Sequence, residues 1–357
     1  MILRVIENIT DEDLVKARKL IEQKKIELSL NKDCAGLDIE VTLLTDKEKV
    51  RVNIIESHLN IVNIEKTELT IPFKPFVRTE GENNLFNHRI QKYTLEDFLL
   101  FSNKIPLQEL MFLEDGIKMN MKIAQEGLTI KSGVGAKFTE MIHEGIMSDN
   151  IVTQAQVLCS AASEARMSGS RLPVMSAAGS GNHGITVFLT SFAVAEKRNL
   201  SREKLIRSLA LSNLITFFIK SYTGVLSAMC GCGVAAGTGA SAGVVYLLGG
   251  NKEQILGALY NMVGSISGVL CDGAKEGCAY KLAMASGWAV ESALLALKGV
   301  IINNADGIID PDFRQLFKNL GYICDHGMIA TDQAILSVML NKAGYCSEKN
   351  NLHIASK

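Results

Sequence analysis

Cys230-Gly-Cys-Gly-Val-Ala-Ala-Gly-Thr-Gly-Ala-Ser-Ala-Gly-Val-Val-Tyr-Leu-Leu-Gly-Gly250 fills most of an uncharged run, 221–251, and the reading of that run decides the fold. Two more uncharged runs lie on either side of it, 172–195 and 254–271. On length alone each would suffice for a membrane span. Their content argues otherwise. The 221–251 run holds eight glycines with several Ser and Thr, and 172–195 carries Pro173, Asn182 and His183. No aromatic belt marks their ends, and the single tryptophan is Trp288. The three runs therefore read as buried helices of an all-α domain, with no membrane involved. Gly, Ala and Ser at this density let helices approach closely, or let backbone come near a bound group.

The rest of the composition agrees. The 357 residues suffice for one large domain or two ordinary ones. Apolar residues make up 47%, aromatics only 6%, so the core is aliphatic and small-residue in character. Thirty-seven basic against 38 acidic groups leave a formal charge of −1, which gives no electrostatic reason to expect nucleic acid. Five prolines favour long helices over a loop-rich β fold.

Toward the N-terminus, the first 75 residues differ in pattern from the rest of the chain. Thr10-Asp-Glu-Asp13 reads as a capping box opening a helix through about Lys25. Apolar residues then alternate at Ile26-Leu28-Leu30, at Leu37-Ile39-Val41-Leu43 and at Val50-Val52-Ile54, the period-two pattern of strands. Asp46 to Lys49 is the expected hairpin turn, and Asn60–Glu65 a further strand. The expectation is an α+β protein: a small antiparallel-sheet and helix domain over 1–75, a linker over 76–93, a large helical domain over 94–345 and a tail over 346–357. Within the large domain, Thr94-Leu-Glu-Asp97 and Ser201-Arg-Glu-Lys204 cap helices, the second running to about Tyr222. Further helices are expected at 106–124, 150–168, 252–268, 279–298, 310–318 and 331–342.

Gly179-Ser-Gly-Asn-His-Gly184 has the spacing of a dinucleotide fingerprint, but that spacing carries meaning only inside a βαβ unit. The surrounding sequence is helical throughout. The segment reads instead as a turn that offers backbone N–H groups and polar side chains to a small carboxylate.

Four of the eight cysteines, Cys230, Cys232, Cys271 and Cys278, fall in glycine-rich sequence. Cys271 and Cys278 would lie about 10 Å apart along a straight helix, long for one metal centre. Gly273 and Gly277 allow the chain to leave helical geometry and close that gap. Cys230 and Cys232 would project in nearly opposite directions in either a helix or a strand, so one of them is expected to be a ligand. Three thiolates do not make a structural zinc site, which wants four, whereas a four-iron cluster held by three leaves one iron open as a Lewis acid. The same residues also read as small buried side chains of a tight Gly/Ala core. Cys34, Cys159, Cys324 and Cys346 have no spacing argument and read as ordinary thiols.

Several of these stretches resemble the L-cysteine desulfidase family, whose C-terminal part is similar to the α domain of iron–sulfur L-serine dehydratases. The matching stretches are Arg171-Leu-Pro-Val-Met-Ser-Ala-Ala-Gly-Ser-Gly-Asn-His-Gly184, Cys230-Gly-Cys-Gly-Val-Ala-Ala-Gly237, Tyr246-Leu-Leu-Gly-Gly250 and Cys271-Asp-Gly-Ala-Lys-Glu-Gly-Cys278. Thr331-Asp-Gln333 and Ser57-His-Leu-Asn-Ile-Val62 add to the likeness. The resemblance implies a [4Fe–4S] cluster held by Cys271, Cys278 and either Cys230 or Cys232, with Cys230 favoured. It implies β-elimination from a small amino acid without pyridoxal phosphate: L-cysteine to pyruvate, ammonia and hydrogen sulfide, or the same reaction on L-serine. Ser180, Gly181 and Asn182 would grip the substrate carboxylate, and His183 is the candidate base, with a plain hydrogen-bonding role as its alternative. His58 and Asn60 are candidates to face the site from the small domain, and Lys275 reads as a solvated charge. The implied setting is cytoplasmic and homo-oligomeric. Family members also carry a Gly-Cys-Thr-Glu-Pro stretch that this sequence lacks. That absence points either to a separate N-terminal subunit or to a non-catalytic, cluster-binding member.

Overall fold

The computed structural model describes residues 8–29, 37–55, 60–66, 69–70, 89–224 and 226–342. By density of contacts the chain separates into two units, Met1–Glu80 with Ala330–Lys357, and Gly81–Ile329.

In the first unit, helix α1 (Asp11–Glu22) starts at a reciprocal capping box. The Asp13 amide donates to the Thr10 hydroxyl, and the Thr10 amide donates to the Asp13 carboxylate at 3.0 Å. Four antiparallel strands succeed it in sequence order: β1 (Asp38–Leu44), β2 (Lys49–Ile55), β3 (Ile61–Lys66) and the short β4 (Leu69–Thr70). Val41 pairs with Val52, and a bulge interrupts the β2–β3 ladder at Asn53/Ile54. Arg51 on β2 holds Glu65 on β3 in a two-pronged ion pair, with both hydrogen bonds at 2.9 Å. The turn between β1 and β2 closes with the Thr45 amide donating to the Glu48 carbonyl, where the sequence placed a hairpin. One expected strand is absent: residues 25–29 have no strand pairing, so Ile26 and Leu28 alternate without a partner. Period-two spacing makes a strand only where a neighbour supplies the ladder. Helix α12 (Ile329–Lys342) belongs almost wholly to this unit.

The second unit is helical, as the uncharged runs implied. It contains α2 (Leu95–Lys104), α3 (Phe112–Leu128), α4 (Val134–His143), α5 (Ile151–Met167), α6 (Gly181–Lys197), α7 (Arg202–Thr223), α8 (Thr238–Leu247), α9 (Lys252–Ile266), α10 (Cys278–Leu297) and α11 (Phe313–Tyr322). The expected helix over 106–124 divides into a 3-10 turn (Leu107–Leu110) and α3. A π-helical turn (Cys232–Gly237) leads into α8, and another (Ile323–Gly327) comes directly after α11. No helix of the described residues is long and apolar enough to cross a membrane.

Small residues decide the packing. Helix α5 lies between α3, α6 and α10, and its buried residues include Ala155, Cys159, Ser160, Ala161, Ala162, Ser163 and Ala165. A Cβ on Gly127 of α3 would stand 1.9 Å from the Ala161 carbonyl oxygen, so backbone touches backbone there. One aromatic knot ties α2, α7 and α11 together: Phe218 stacks on Phe313 at 4.7 Å, with Phe98 and Phe317 edge-on.

Candidate functional site

The Gly179–Gly184 segment divides into two parts. Ala177 and Ser180 exchange backbone hydrogen bonds, each 3.1 Å, across a tight turn whose central residues Ala178 and Gly179 both have positive φ, 46° and 80°. A turn with both central residues left-handed suits glycine and strains alanine, and such strain gathers at functional sites. From Gly181 onward the chain is helix α6, with Ser180 at its N-cap. The sequence reading expected one turn over the whole segment. In fact Asn182 and His183 lie in the first helical turn, each 5% exposed, while Ser180 remains half-buried. The first-turn N–H groups have no helical carbonyl to bond, and the helix end carries partial positive charge.

Arg166, near the end of α5, reaches this helix end. Its Nη1 donates to Asn182 Oδ1 at 3.1 Å, and a Cβ on Gly181 would collide with its Nε at 2.6 Å. Burial pushes its guanidinium pKa down, and the thiols of Cys232 and Cys278 oppose that. The irregular segment before the turn is fixed by Asn120 of α3, which is fully buried. Its Oδ1 accepts from the Met175 amide at 2.9 Å, and its Nδ2 donates to the Met175 carbonyl.

The cysteine segments are joined through backbone. Met229 and Leu270 form an isolated antiparallel bridge; the Cys230 amide donates to the Val269 carbonyl at 2.7 Å and the Cys271 amide to the Ala228 carbonyl at 2.6 Å. This sets Cys230 opposite Val269 and Cys271 opposite Ala228, so the two cysteines are diagonal neighbours across the bridge. From Cys271 to Gly277 the chain is not helical and Gly273 takes φ 89°, as the glycines predicted, before α10 begins at Cys278. Asp272 anchors this loop, paired with Lys275 and with Lys281, whose Nζ also donates to the Leu270 carbonyl at 2.7 Å. Ser168, after α5, donates to Glu276 of the same loop at 3.3 Å.

The expected opposition of Cys230 and Cys232 does not hold. Cys230 ends the bridge and Cys232 opens the π-turn, so neither helix nor strand periodicity relates them. Each acts on the other: Cys232 pulls Cys230 below the ordinary thiol range and Cys230 pushes Cys232 above it, with burial adding to the rise at Cys232. Cys232 also feels Cys278 and Cys271, so the four cysteines form one electrostatic group.

Two further groups belong here that sequence reasoning passed over. Lys220 of α7 is 9% exposed; burial lowers its pKa, while Cys324, Cys232, Cys271 and Cys230 act to raise it. Cys324, read from sequence as an ordinary thiol, is thus a neighbour of the group, and its sulfur lies 3.6 Å from that of Met229. The available signal was Lys220 itself, a charge directly after the largely apolar helical stretch from Leu214 to Ile219. Cys159 does behave as a buried thiol, against Ile185 and Thr190 and pushed up to about 12 by desolvation. His183 packs edge to backbone against Gly231, and its Nδ1 is buried without a hydrogen-bond partner. Burial first, then the charge of Lys220, drives its imidazole down to about 3, so it is neutral near pH 7. Lys275 is an exposed charge paired with Asp272. Asn60 lies in the first unit, while His58, Cys34 and Cys346 fall outside the described residues.

A family model for the serine dehydratase alpha chain matches residues 2–337. Among curated relatives, a "UPF0597 protein" of Clostridium tetani is 44% identical over 340 residues, covering 95% of this chain and 79% of the relative. Another from Caldanaerobacter subterraneus is 42% identical with the same coverage, and one from Desulfotalea psychrophila is 38% identical over 347 residues.

Proposed function

Because the chain belongs to the serine dehydratase alpha chain family, we propose that it is a lyase acting by β-elimination on a small L-amino acid, L-cysteine before L-serine. With L-cysteine and water the products are pyruvate, ammonia and hydrogen sulfide. The observation that carries this reading is the meeting of Cys230, Cys232, Cys271 and Cys278 in one electrostatic group with Arg166, whose guanidinium is bonded to Asn182.

Cysteine thiolates are the usual ligands of an iron–sulfur cluster. Among the described residues no three His, Cys, Asp or Glu side chains converge as one metal ion would require. A cluster spreads its thiolates over separate irons and needs positive charge nearby to offset its own. Arg166, Lys220 and Lys281 are the cations around these thiols. Cys271, Cys278 and one of Cys230 and Cys232 would hold the cluster, which would supply a Lewis acid for the substrate.

The chain's own groups have separate tasks. The N–H groups of Gly181–His183 and the Ser180 hydroxyl offer donors to the carboxylate, at a helix end that favours an anion. Arg166 holds Asn182 in place for the same purpose. His183 stays uncharged, so Nδ1 can hold a proton, though as a weak base. Anaerobic reconstitution with iron and sulfide, followed by assays for pyruvate and sulfide, tests the proposal. Release of pyruvate from neither L-cysteine nor L-serine by the loaded protein would sink it.

A further inference from the structure

Lys220 presents an unexplained cost. It is 9% exposed, and among the described residues its ammonium has neither a hydrogen-bond acceptor nor a carboxylate partner. A buried cation without a counter-charge is among the most expensive features a core can contain. Arg166 is bonded to Asn182 and Lys281 to Asp272, so Lys220 is the unpaired one of these three.

Its placement results from the packing. Ser208, Ser212, Thr216 and Lys220 recur every four residues and so share one face of α7. Helix α8 meets that face through glycines: a Cβ on Gly243 would lie 2.0 Å from Ser212 Oγ, and one on Gly239 would lie 2.1 Å from Thr216 Oγ1. The contacts descend along α8 as they rise along α7, so the helices run antiparallel. One step further brings Lys220 alongside the π-turn that opens at Cys232. There its charge acts on the thiols of Cys230, Cys232, Cys271 and Cys324, and on His183.

We propose that Lys220 is the internal counter-cation of the thiolate pocket, offsetting the negative charge that Cys230, Cys232 and Cys271 bring inside, and so governing how firmly an iron–sulfur cluster is retained and at what potential it is reduced. Three thiolates on a doubly positive four-iron core leave one net negative charge in the interior. Net charge and local surroundings set such potentials. The cluster half of this inference rests on the lyase reading above, whereas the field of Lys220 on the thiols does not.

The test compares the wild-type chain with Lys220→Met and Lys220→Arg. In cluster-free protein, the pocket cysteines are alkylated with iodoacetate, an anion, and with neutral iodoacetamide. The iodoacetate-to-iodoacetamide rate ratio at Cys230, Cys232 and Cys271 should fall several-fold in Lys220→Met and recover in Lys220→Arg. After reconstitution, Lys220→Met should hold several-fold less iron and sulfide per chain and be reduced at a lower midpoint potential, with Lys220→Arg again close to wild type. The thermal midpoint of cluster-free Lys220→Met should equal or exceed that of wild type, since an apolar side chain removes an unpaired charge. A lysine that merely filled space would instead give a lower midpoint. An unchanged alkylation ratio in Lys220→Met overturns the proposal, as do equal iron content and equal potential. A wild-type chain that takes up no iron, with the ratio still falling in Lys220→Met, refutes the cluster reading and leaves the counter-cation standing.

Discussion

Gly231 and His183 are in backbone-to-ring contact: a Cβ on Gly231 would stand 2.4 Å from Nε2 of the imidazole. Gly231 separates Cys230 from Cys232 in sequence, so the ring packs against the backbone between them. Gly231→Ala must push the ring or the cysteine segment aside. Overpacking of this kind costs about 1–3 kcal/mol. The thermal midpoint should drop and the iron content after reconstitution should fall with it. Calorimetry and iron analysis check both, and two unchanged values would mean the ring has room to yield.

Acid should destabilise the protein through His183. Its pKa is about 3 in the folded chain, and about 6.5 is the ordinary value to which unfolding returns it. The unfolded state therefore takes up the proton first as the pH falls. The stability owed to the neutral imidazole is complete above about pH 6.5 and drains away toward pH 3, at up to about 1.4 kcal/mol per pH unit. Between pH 6.5 and pH 5 the loss from this residue is about 2 kcal/mol. Urea unfolding at the two pH values should show a smaller drop in His183→Gln than in wild type. Equal drops would remove His183 from the account.

Asn182→Ala leaves the Arg166 guanidinium without its 3.1 Å acceptor. A hydrogen bond to a charged group contributes about 1.5–3 kcal/mol, which as transition-state stabilisation corresponds to about 10–100-fold in kcat/KM. Asn182→Asp keeps an acceptor and should lose less. Steady-state kinetics on the two variants separates the cases, and identical losses would mean that Arg166 does not act through this bond.

Asp272 offers the opposite balance. It pairs with Lys275 and Lys281 on a largely exposed loop, where ion pairs contribute at most about 1 kcal/mol. Asp272→Ala should therefore leave the unfolding midpoint nearly unchanged while lowering iron retention, because the loop also carries Cys271 and leads to Cys278. A marked loss of stability without loss of iron would contradict this assignment.

Much of this arrangement was legible where the signal is local. Thr94 with Asp97 and Thr10 with Asp13 cap their helices as expected, because a cap is settled within four residues. The glycines of the Cys271–Cys278 loop announced a departure from helix, and it occurs. What escaped depends on distant partners. Ile26 and Leu28 alternate correctly but meet no strand. Cys230 and Cys232 were judged by a periodicity that the Met229–Leu270 bridge and the π-turn abolish. Lys220 and Asn120 acquire meaning only from groups far along the chain, Cys271 for one and Met175 for the other.

The glycine seam between α7 and α8 also works as a gauge of alignment. Ser212 against Gly243 and Thr216 against Gly239 are teeth and notches, each side chain seated where the facing Cβ is missing. Sliding one helix by a turn, about 5.4 Å, would drive hydroxyls into occupied positions and carry Lys220 away from the sulfurs. The seam thus converts an axial position into an electrostatic setting. A glycine replaced two turns away from the cysteines would change the charge they experience without touching any of them.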